Sequence, residues 1–561
     1  MTIEFAARRH CRLAALAFGL ACAASAAQAQ VPPPAPPPSG VAYGEPGAEQ
    51  PAEAPPARRS RARSEIRPYL EVSQVVSADL DGGDTLTYTS LAAGVDGRVQ
   101  ARRVSVQMSY RYQRNIEWSG EVGDQDAHSG VAMVNAQIAP GVQFDAGAVA
   151  TRTGGQGRAL GVSDRDQSVE VYSAYAGPTV STQAGPVNVN AAYRIGYVAV
   201  DDDLAGAGRS DDHGNAVAHA ASASAGMAPG RLPVGWGVNV GYQRTDSDGE
   251  FDHEFEGSYV RADVVVPVSP RLAVTAGVGY ENIEATQLDM ARDEDGVPIV
   301  GPDGIRPDPS RPRVLTYDLD GIIYDAGLIW RPSARTEVQA RAGHRYGGTT
   351  VVASVSHQFS ANAGMSASVH DSVQTFGSLL TSDISSLPDN FEVNRDPLTG
   401  SLGGCVFGAE PGRGVCLDRS LQSIRGNSFR LRGANVTFSG RRRVWNWGLG
   451  ADYSHRRYGR PDDAAFDSLG STTDESFSLF ASAGRRLTRT SDLGLSLYAS
   501  WFDTNQADFD RVFSTGATVD YSRSFLMDRL QLLAALGLYH SDDGVIDSTV
   551  ASGLLGLRYS F

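Results

Sequence analysis

The last twelve residues, Val550 to Phe561, alternate with a period of two. Gly553, Leu555, Leu557 and Tyr559 fall on one side with the terminal Phe561, while Leu554, Gly556, Arg558 and Ser560 fall on the other. Successive side chains on a strand point to opposite faces, so this segment is a strand that is apolar on one face and mostly small or polar on the second. The same rhythm recurs roughly twenty times from Tyr69 onward, and a helical fold cannot accommodate it.

The clearest instance is Val104 to Tyr112, where Val104, Val106, Met108, Tyr110 and Tyr112 share one face and Ser105, Gln107, Ser109 and Arg111 the other. Val142 to Ala148, Val187 to Ile195, Val234 to Tyr242, Leu272 to Tyr280, Ile322 to Trp330, Trp445 to Tyr453, Leu493 to Trp501 and Leu530 to Leu538 read the same way. A soluble sandwich also alternates but seldom needs so many strands in one series. The links separate the two architectures. Short ones such as Pro140-Gly141, Val268 to Arg271 and Arg331 to Ala334 take turns with longer polar ones such as 153–167, 201–214 and 459–474. Membrane barrels have short turns at the periplasmic end and long loops at the external end. The expected fold is therefore all-β, a transmembrane antiparallel β-barrel of about 22 strands over residues 66–561.

Residues 1–29 read as a secretory signal peptide. Arg8, Arg9 and Arg12 supply the basic start, Leu13 to Ala26 the apolar stretch, and Ala27-Gln28-Ala29 the small-x-small cleavage site. Residues 30–65 are Pro- and Ala-rich with little apolar periodicity, a composition that cannot bury a core and predicts a disordered periplasmic arm. No other segment is apolar over the length a spanning helix needs, but a barrel strand needs only about ten residues with one apolar face. Cys11 and Cys22 lie in the signal, which leaves Cys405 and Cys416. An even pair in an exported chain, close in sequence among Gly, Pro and Ser, predicts a disulfide closing a loop, worth roughly 3 kcal/mol in the chain-entropy model.

Net charge is -15, which argues against nucleic acid as a partner, since phosphate binding needs a basic field. All 49 basic residues are arginine, so the lysine of a P-loop or a Schiff base is absent. The ten histidines are scattered, and no HExxH, CxxC or G-x-S-x-G occurs. The chain is not expected to be an enzyme, and no catalytic residue, cofactor or metal site is expected. Acidic clusters at Asp79 to Asp84, Asp201 to Asp203 and Asp246 to Gly249 lack the ligand spacing of a calcium loop and read as solvated loops.

Inward-facing charge should line a pore. Arg111, Arg194, Arg261, Arg341 and Arg345 stand against Asp263, Asp325, Asp452 and Asp520, a mixed lining suited to polar or sugar-like solutes unless the charges pair with one another. Aromatics including Tyr110, Tyr197, Trp236, Tyr280, Trp330 and Trp445 fall on the apolar face, where girdles meet the headgroups. His344 and His357 fall on the outward face. Three external segments stand out: 284–320, 377–428 and the acidic run Asp246 to Glu256. A barrel this wide leaves a large lumen, and 377–428, pinned by Cys405 and Cys416, is expected to fold into or over it.

The chain resembles the β-barrel porins of proteobacteria, particularly those found with exopolysaccharide or exosortase (PEP-CTERM) systems. The features that carry the likeness are Met1 to Ala29, the strand series from Tyr69, SLGGCVFGAEPGRGVC at 401–416 and the terminal LLGLRYSF. A terminal Phe561 with Tyr559, Leu557 and Leu555 on its face resembles the assembly signal of bacterial outer-membrane barrels. The resemblance implies an outer-membrane address, with outer-membrane lipid, lipopolysaccharide and the barrel-assembly machinery as partners, and a role in polysaccharide export. The expected function is a passive channel for polar solutes or polysaccharide. Alternatives are an adhesive or structural barrel with a sealed lumen and a TonB-dependent receptor. The receptor resembles a barrel preceded by a plug of well over a hundred residues, far longer than the arm read here.

Overall fold

The computed structural model describes residues 63–118, 125–154, 168–202, 214–459, 473–505 and 511–561, apart from a few single positions within them. The signal segment, all but the end of the Pro-rich arm, Asp203 and most of the loops 153–167, 201–214 and 459–474 lie outside the described residues.

Twenty-two strands, the first Arg63–Asp79 and the last Asp547–Ser560, form one antiparallel sheet in chain order. The sheet closes because the last strand pairs with the first, from Tyr69 opposite Ser560 to Asp79 opposite Val550. The first strand starts three residues inside the stretch read as an arm. Closure removes both sheet edges, which lets every strand satisfy its backbone groups without water.

The links at the end that holds both termini are all short, whereas the opposite end mixes short ones such as 346–347 with the long ones. At the end that holds both termini the strands are joined by 101–103, 140–141, 185–186, 270–271, 334–335, 361–362 and 443–444, while the opposite end carries 288–313 and 375–428. Two of the long loops are shorter than the sequence suggests. Strands run to Ser247 and from Glu254, and to Gln287 and from Val314, so much of Asp246 to Glu256 and of 284–320 is strand. Crossing a bilayer takes about 9–11 residues. Strands such as Val314–Ser333, with 20 residues, continue the ladder well past that length. Polar composition at a strand end therefore marks emergence from the apolar layer, not the end of the strand.

Leu555, Leu557, Tyr559 and Phe561 point outward and are 61, 46, 39 and 68% exposed. Val274, Val278, Tyr280, Trp330 and Trp445 do the same on other strands. His344 stacks on Tyr324, and His357 meets Phe359 edge-on, both on the outward face. Leu555 sits near the middle of its strand, so Leu555→Arg should cost about 2–4 kcal/mol, the penalty for a guanidinium at the bilayer midplane. Denaturant titration of refolding into phospholipid vesicles measures it; a cost under about 1 kcal/mol would take this residue out of the midplane.

The seam is held from inside. Glu71 on the first strand is bonded at 2.9 Å to Arg558 on the adjacent last strand and at 2.9 Å to Arg111, which reaches it from Val104–Glu117, one strand beyond its other neighbour. The Arg558 guanidinium also lies 4.2 Å from the centre of the Tyr69 ring.

Candidate functional site

The lumen contains protein. The link 375–428 leaves the external end, enters the barrel and returns, carrying a helix α1 (Phe376–Ser385), a one-turn helix α2 (Asp418–Leu421) and three short strands, Phe391–Glu392, Cys405–Gly408 and Gly414–Cys416. Thr375 starts α1 with a capping box: its hydroxyl accepts the Ser378 N–H at 3.3 Å, and the Ser378 hydroxyl accepts the Thr375 N–H at 3.1 Å. Phe376, Leu380 and Ile384 recur every four residues and so share one face. That face packs on Val131, Met133, Val149, Val171, Tyr175 and Val198 of the wall. Each such side chain taken fully out of water contributes about 1.5–3 kcal/mol. Leu379, on the opposite side, packs against Phe429, Leu431 and Tyr458.

Cys405 and Cys416 face each other across the two short strands and form a disulfide, both 3% exposed. Asp383 is fully buried and ties the two helices together: the Arg419 guanidinium donates to it at 3.0 Å, and the Ser420 hydroxyl donates as well. Burial disfavours the charge on Arg419, but the carboxylate of Asp383 outweighs it and holds the guanidinium charged. For Arg395 burial dominates and its pKa is lowered.

Contacts between this segment and the wall come from around the ring. Gln107 brackets the Phe391 backbone, donating to its carbonyl and accepting its N–H at 3.3 Å. Asp396 accepts from Thr518 at 2.9 Å and from Tyr539 at 2.8 Å. Gly412 donates to Ser439 at 2.8 Å, Ser423 to Asp474 at 2.5 Å, and Thr375 to Thr245 at 3.1 Å. Several wall positions beneath it are glycine. An added Cβ would lie 2.3 Å from Thr381 at Gly196, 2.4 Å from the Phe407 ring at Gly448, 2.2 Å from Cys405 Sγ at Gly450 and 2.5 Å from Leu398 at Gly537. The inner wall is thus shaped to the segment it encloses.

All nine charged residues read from the sequence as inward-facing lie on the inner face, and most of them are committed to partners. Arg261 bridges Asp263 at 2.7 Å and Asp325, and Arg341 reaches Asp263 at 2.7 Å, so four of the nine make one cluster. Arg111 is engaged with Glu71, Arg194 pairs with Asp145 at 3.1 Å, and Arg345 pairs with Glu281 at 2.8 Å. Asp452 is 2% exposed beneath the segment, and one of its carboxylate oxygens has no hydrogen-bond partner among the described residues. Asp520 faces inward against Gly494. Sequence reasoning missed Glu71, Asp145, Glu281 and Asp371, the last bonded to Arg430 at 2.7 Å. It also missed the inward apolar patch of Val131, Met133, Val149, Val171, Tyr175 and Val198. The signal was present: on these strands both faces are apolar, as expected of a wall with something packed inside.

No protein family model matches the chain, and no curated protein matches it. Among solved structures, it is similar to the FrpB iron transporter from Neisseria meningitidis, at 10% identity over 88% of this chain and 82% of that one, with a TM-score of 0.43. It is also similar to the siderophore receptor PiuA from Acinetobacter baumannii (9%, 88 and 82%, 0.44) and to OccK2 (OpdF) of Pseudomonas aeruginosa (7%, 89 and 98%, 0.29). Its own geometry defines the class: a closed antiparallel barrel of 22 strands whose lumen is crossed by one of its own external links.

Proposed function

We propose that this protein is an outer-membrane channel that passes polar solutes passively, with its conductance set by the internal segment 375–428. The observation that carries this reading is the set of hydrogen bonds from that segment to Gln107, Thr245, Ser439, Asp474 and Tyr539, on strands spaced around the ring. A structural barrel needs only its wall, whereas a segment fitted to the wall at this many points regulates what crosses. The paired Arg and Asp clusters left on the inner face suit neutral or zwitterionic solutes better than strongly charged ones. Passage of polysaccharide during export is the finer form of this reading, supported by the resemblance of the 401–416 segment and the terminal LLGLRYSF.

The same obstruction favours a second reading, a sealed barrel that presents its external loops to partners. Planar-bilayer recording separates the two. The intact protein should give small steps, and a variant with 377–428 replaced by a short Gly-Ser bridge should give steps several-fold larger. Cys405→Ser with Cys416→Ser should give more frequent transitions to the larger level. Unchanged conductance after the deletion would sink the proposal, and silence from the intact protein with opening only after deletion would favour the sealed barrel.

A further inference from the structure

Charge is unevenly distributed along the barrel axis. The turns at the end that holds both termini include Arg102, Arg271, Arg335, Arg443, Arg489 and Arg529, and Asp528 is the only carboxylate in any of them. Exposed arginines at the opposite end are matched by acids: Arg114 with Asp126 at 3.5 Å, Arg244 with Asp246 at 2.9 Å and Arg511 with Asp503 at 2.8 Å. Arginine serving only for solubility would be paired or unpaired alike at the two ends.

The excess reaches the lipid-facing side in the sector from Phe429–Arg442 to Val512–Phe525. Trp445 points outward and stands directly opposite Arg442 on one neighbouring strand and Arg485 on the other. Directly opposite residues of an antiparallel ladder share a face, so the three make one outward row beside the turns. The Arg485 guanidinium lies 5.0 Å from the centre of the Trp445 ring. Two strands on, the Arg523 guanidinium lies 5.2 Å from the centre of the outward Phe525 ring. Arg442, Arg485 and Arg523 have no carboxylate partner among the described residues. Beside Phe525 the turn presents Leu526 and Met527, 68 and 99% exposed. Aromatic and apolar side chains interleaved with unpaired cations suit the boundary layer of a bilayer, where the carbon stems stay in the apolar region and the charged heads reach the phosphates.

We propose that Arg442, Arg485 and Arg523 form a binding surface for anionic phospholipid in the leaflet on the side of the termini, their guanidinium groups holding headgroup phosphates while Trp445, Phe525 and Met527 lie against the glycerol and upper acyl chains. The planar fork of a guanidinium matches two phosphate oxygens at once. A zwitterionic headgroup brings a cation of its own to the same surface and gains less there. A soluble acidic polymer fits less well, because these arginines share the face of the lipid-exposed Trp445 and Phe525. The surface goes beyond the channel reading and needs only that the barrel spans a bilayer.

Native mass spectrometry of the folded barrel in an amine-oxide detergent, titrated with phosphatidylglycerol or with phosphatidylethanolamine of the same acyl chains, tests the surface without any requirement for conduction. Phosphatidylglycerol is expected to bind roughly tenfold more tightly. Arg485→Gln alone should weaken it roughly fivefold, the factor for one arginine at an anionic membrane surface. Arg442→Gln, Arg485→Gln and Arg523→Gln together should erase the preference. Arg114→Gln with Arg244→Gln and Arg511→Gln, the same change of net charge at the opposite end, should leave it intact, with heat-modifiable migration in gels confirming that each variant is folded. Equal binding of the two lipids, a preference that survives the first triple variant, or one lost equally in the second overturns the proposal. Displacement of phosphatidylglycerol by equimolar trigalacturonate would assign the surface to soluble acidic polymers and overturn it as well. A barrel that selects phosphatidylglycerol but never conducts would uphold the surface and refute the channel, and conduction without lipid preference would do the reverse.

Discussion

Gly448→Leu combined with Gly450→Leu will drive the internal segment off its seat and raise single-channel conductance to the level of the variant lacking 377–428. At Gly450 a Cβ would lie 2.2 Å from Cys405 Sγ and 2.9 Å from Cys416 Sγ, and at Gly448 it would lie 2.4 Å from the Phe407 ring. The disulfide fixes the two short strands to each other, so the intruding side chains cannot be met by local repacking. Overpacking a well-filled contact costs typically about 1–3 kcal/mol per site, and here both sites strain the same small unit. Gly553→Leu is the control, because its Cβ would meet only the outward Leu536, at 3.5 Å. Should the double variant fold and conduct like the parent, Gly448 and Gly450 are not what seats the segment.

Glu71→Ala is expected to destabilise the barrel by about 3–5 kcal/mol, because it strands the buried Arg111 guanidinium beside the partly buried one of Arg558. The side chains of Glu71 and Arg111 are 2 and 4% exposed, and Arg558 shares the same carboxylate. Removing the acid therefore replaces two attractions with one repulsion at low dielectric. Replacing Glu71, Arg111 and Arg558 together by methionine should recover most of the loss, since desolvation of all three charges disappears with them. Guanidinium titration in detergent or vesicles gives the midpoints. A cost below about 1 kcal/mol would mean that water reaches the arginines when the acid is gone.

Much of the architecture was legible in the sequence, because a lipid-facing wall forces a two-residue pattern and the two ends of a barrel face different surroundings. Leu555, Leu557, Tyr559 and Phe561 could be placed outward on that ground alone, and the disulfide followed from the cysteine spacing. Strand ends were misplaced where polar residues continue the ladder past the bilayer, as at Glu284 to Gln287. Ion-pair partners were not legible. Glu71 and Arg558 are separated by 487 positions, and their meeting depends on the closure register, which no local pattern encodes. The site itself was half legible. That 377–428 occupies the lumen could be argued from its length and cysteines, but its seat is written in the inward-facing Val131 and Met133 of strand Gln125–Ala139 and in Gly448 and Gly450, where a smaller or greasier inner residue has meaning only once its neighbour is known.

The pairing of Tyr69 with Ser560 has a temporal consequence. Contacts between the far ends of a chain form late, because the longest loop must be closed to make them. Until that moment the ring is an open sheet and its contents are accessible; afterwards Cys405 and Cys416 are out of reach of any oxidant of protein size. Oxidation of the pair by such a protein must therefore precede sealing, and a chain that seals while still reduced is left to small-molecule oxidants. The order of these two events, and not only their occurrence, decides which form of the molecule the cell obtains.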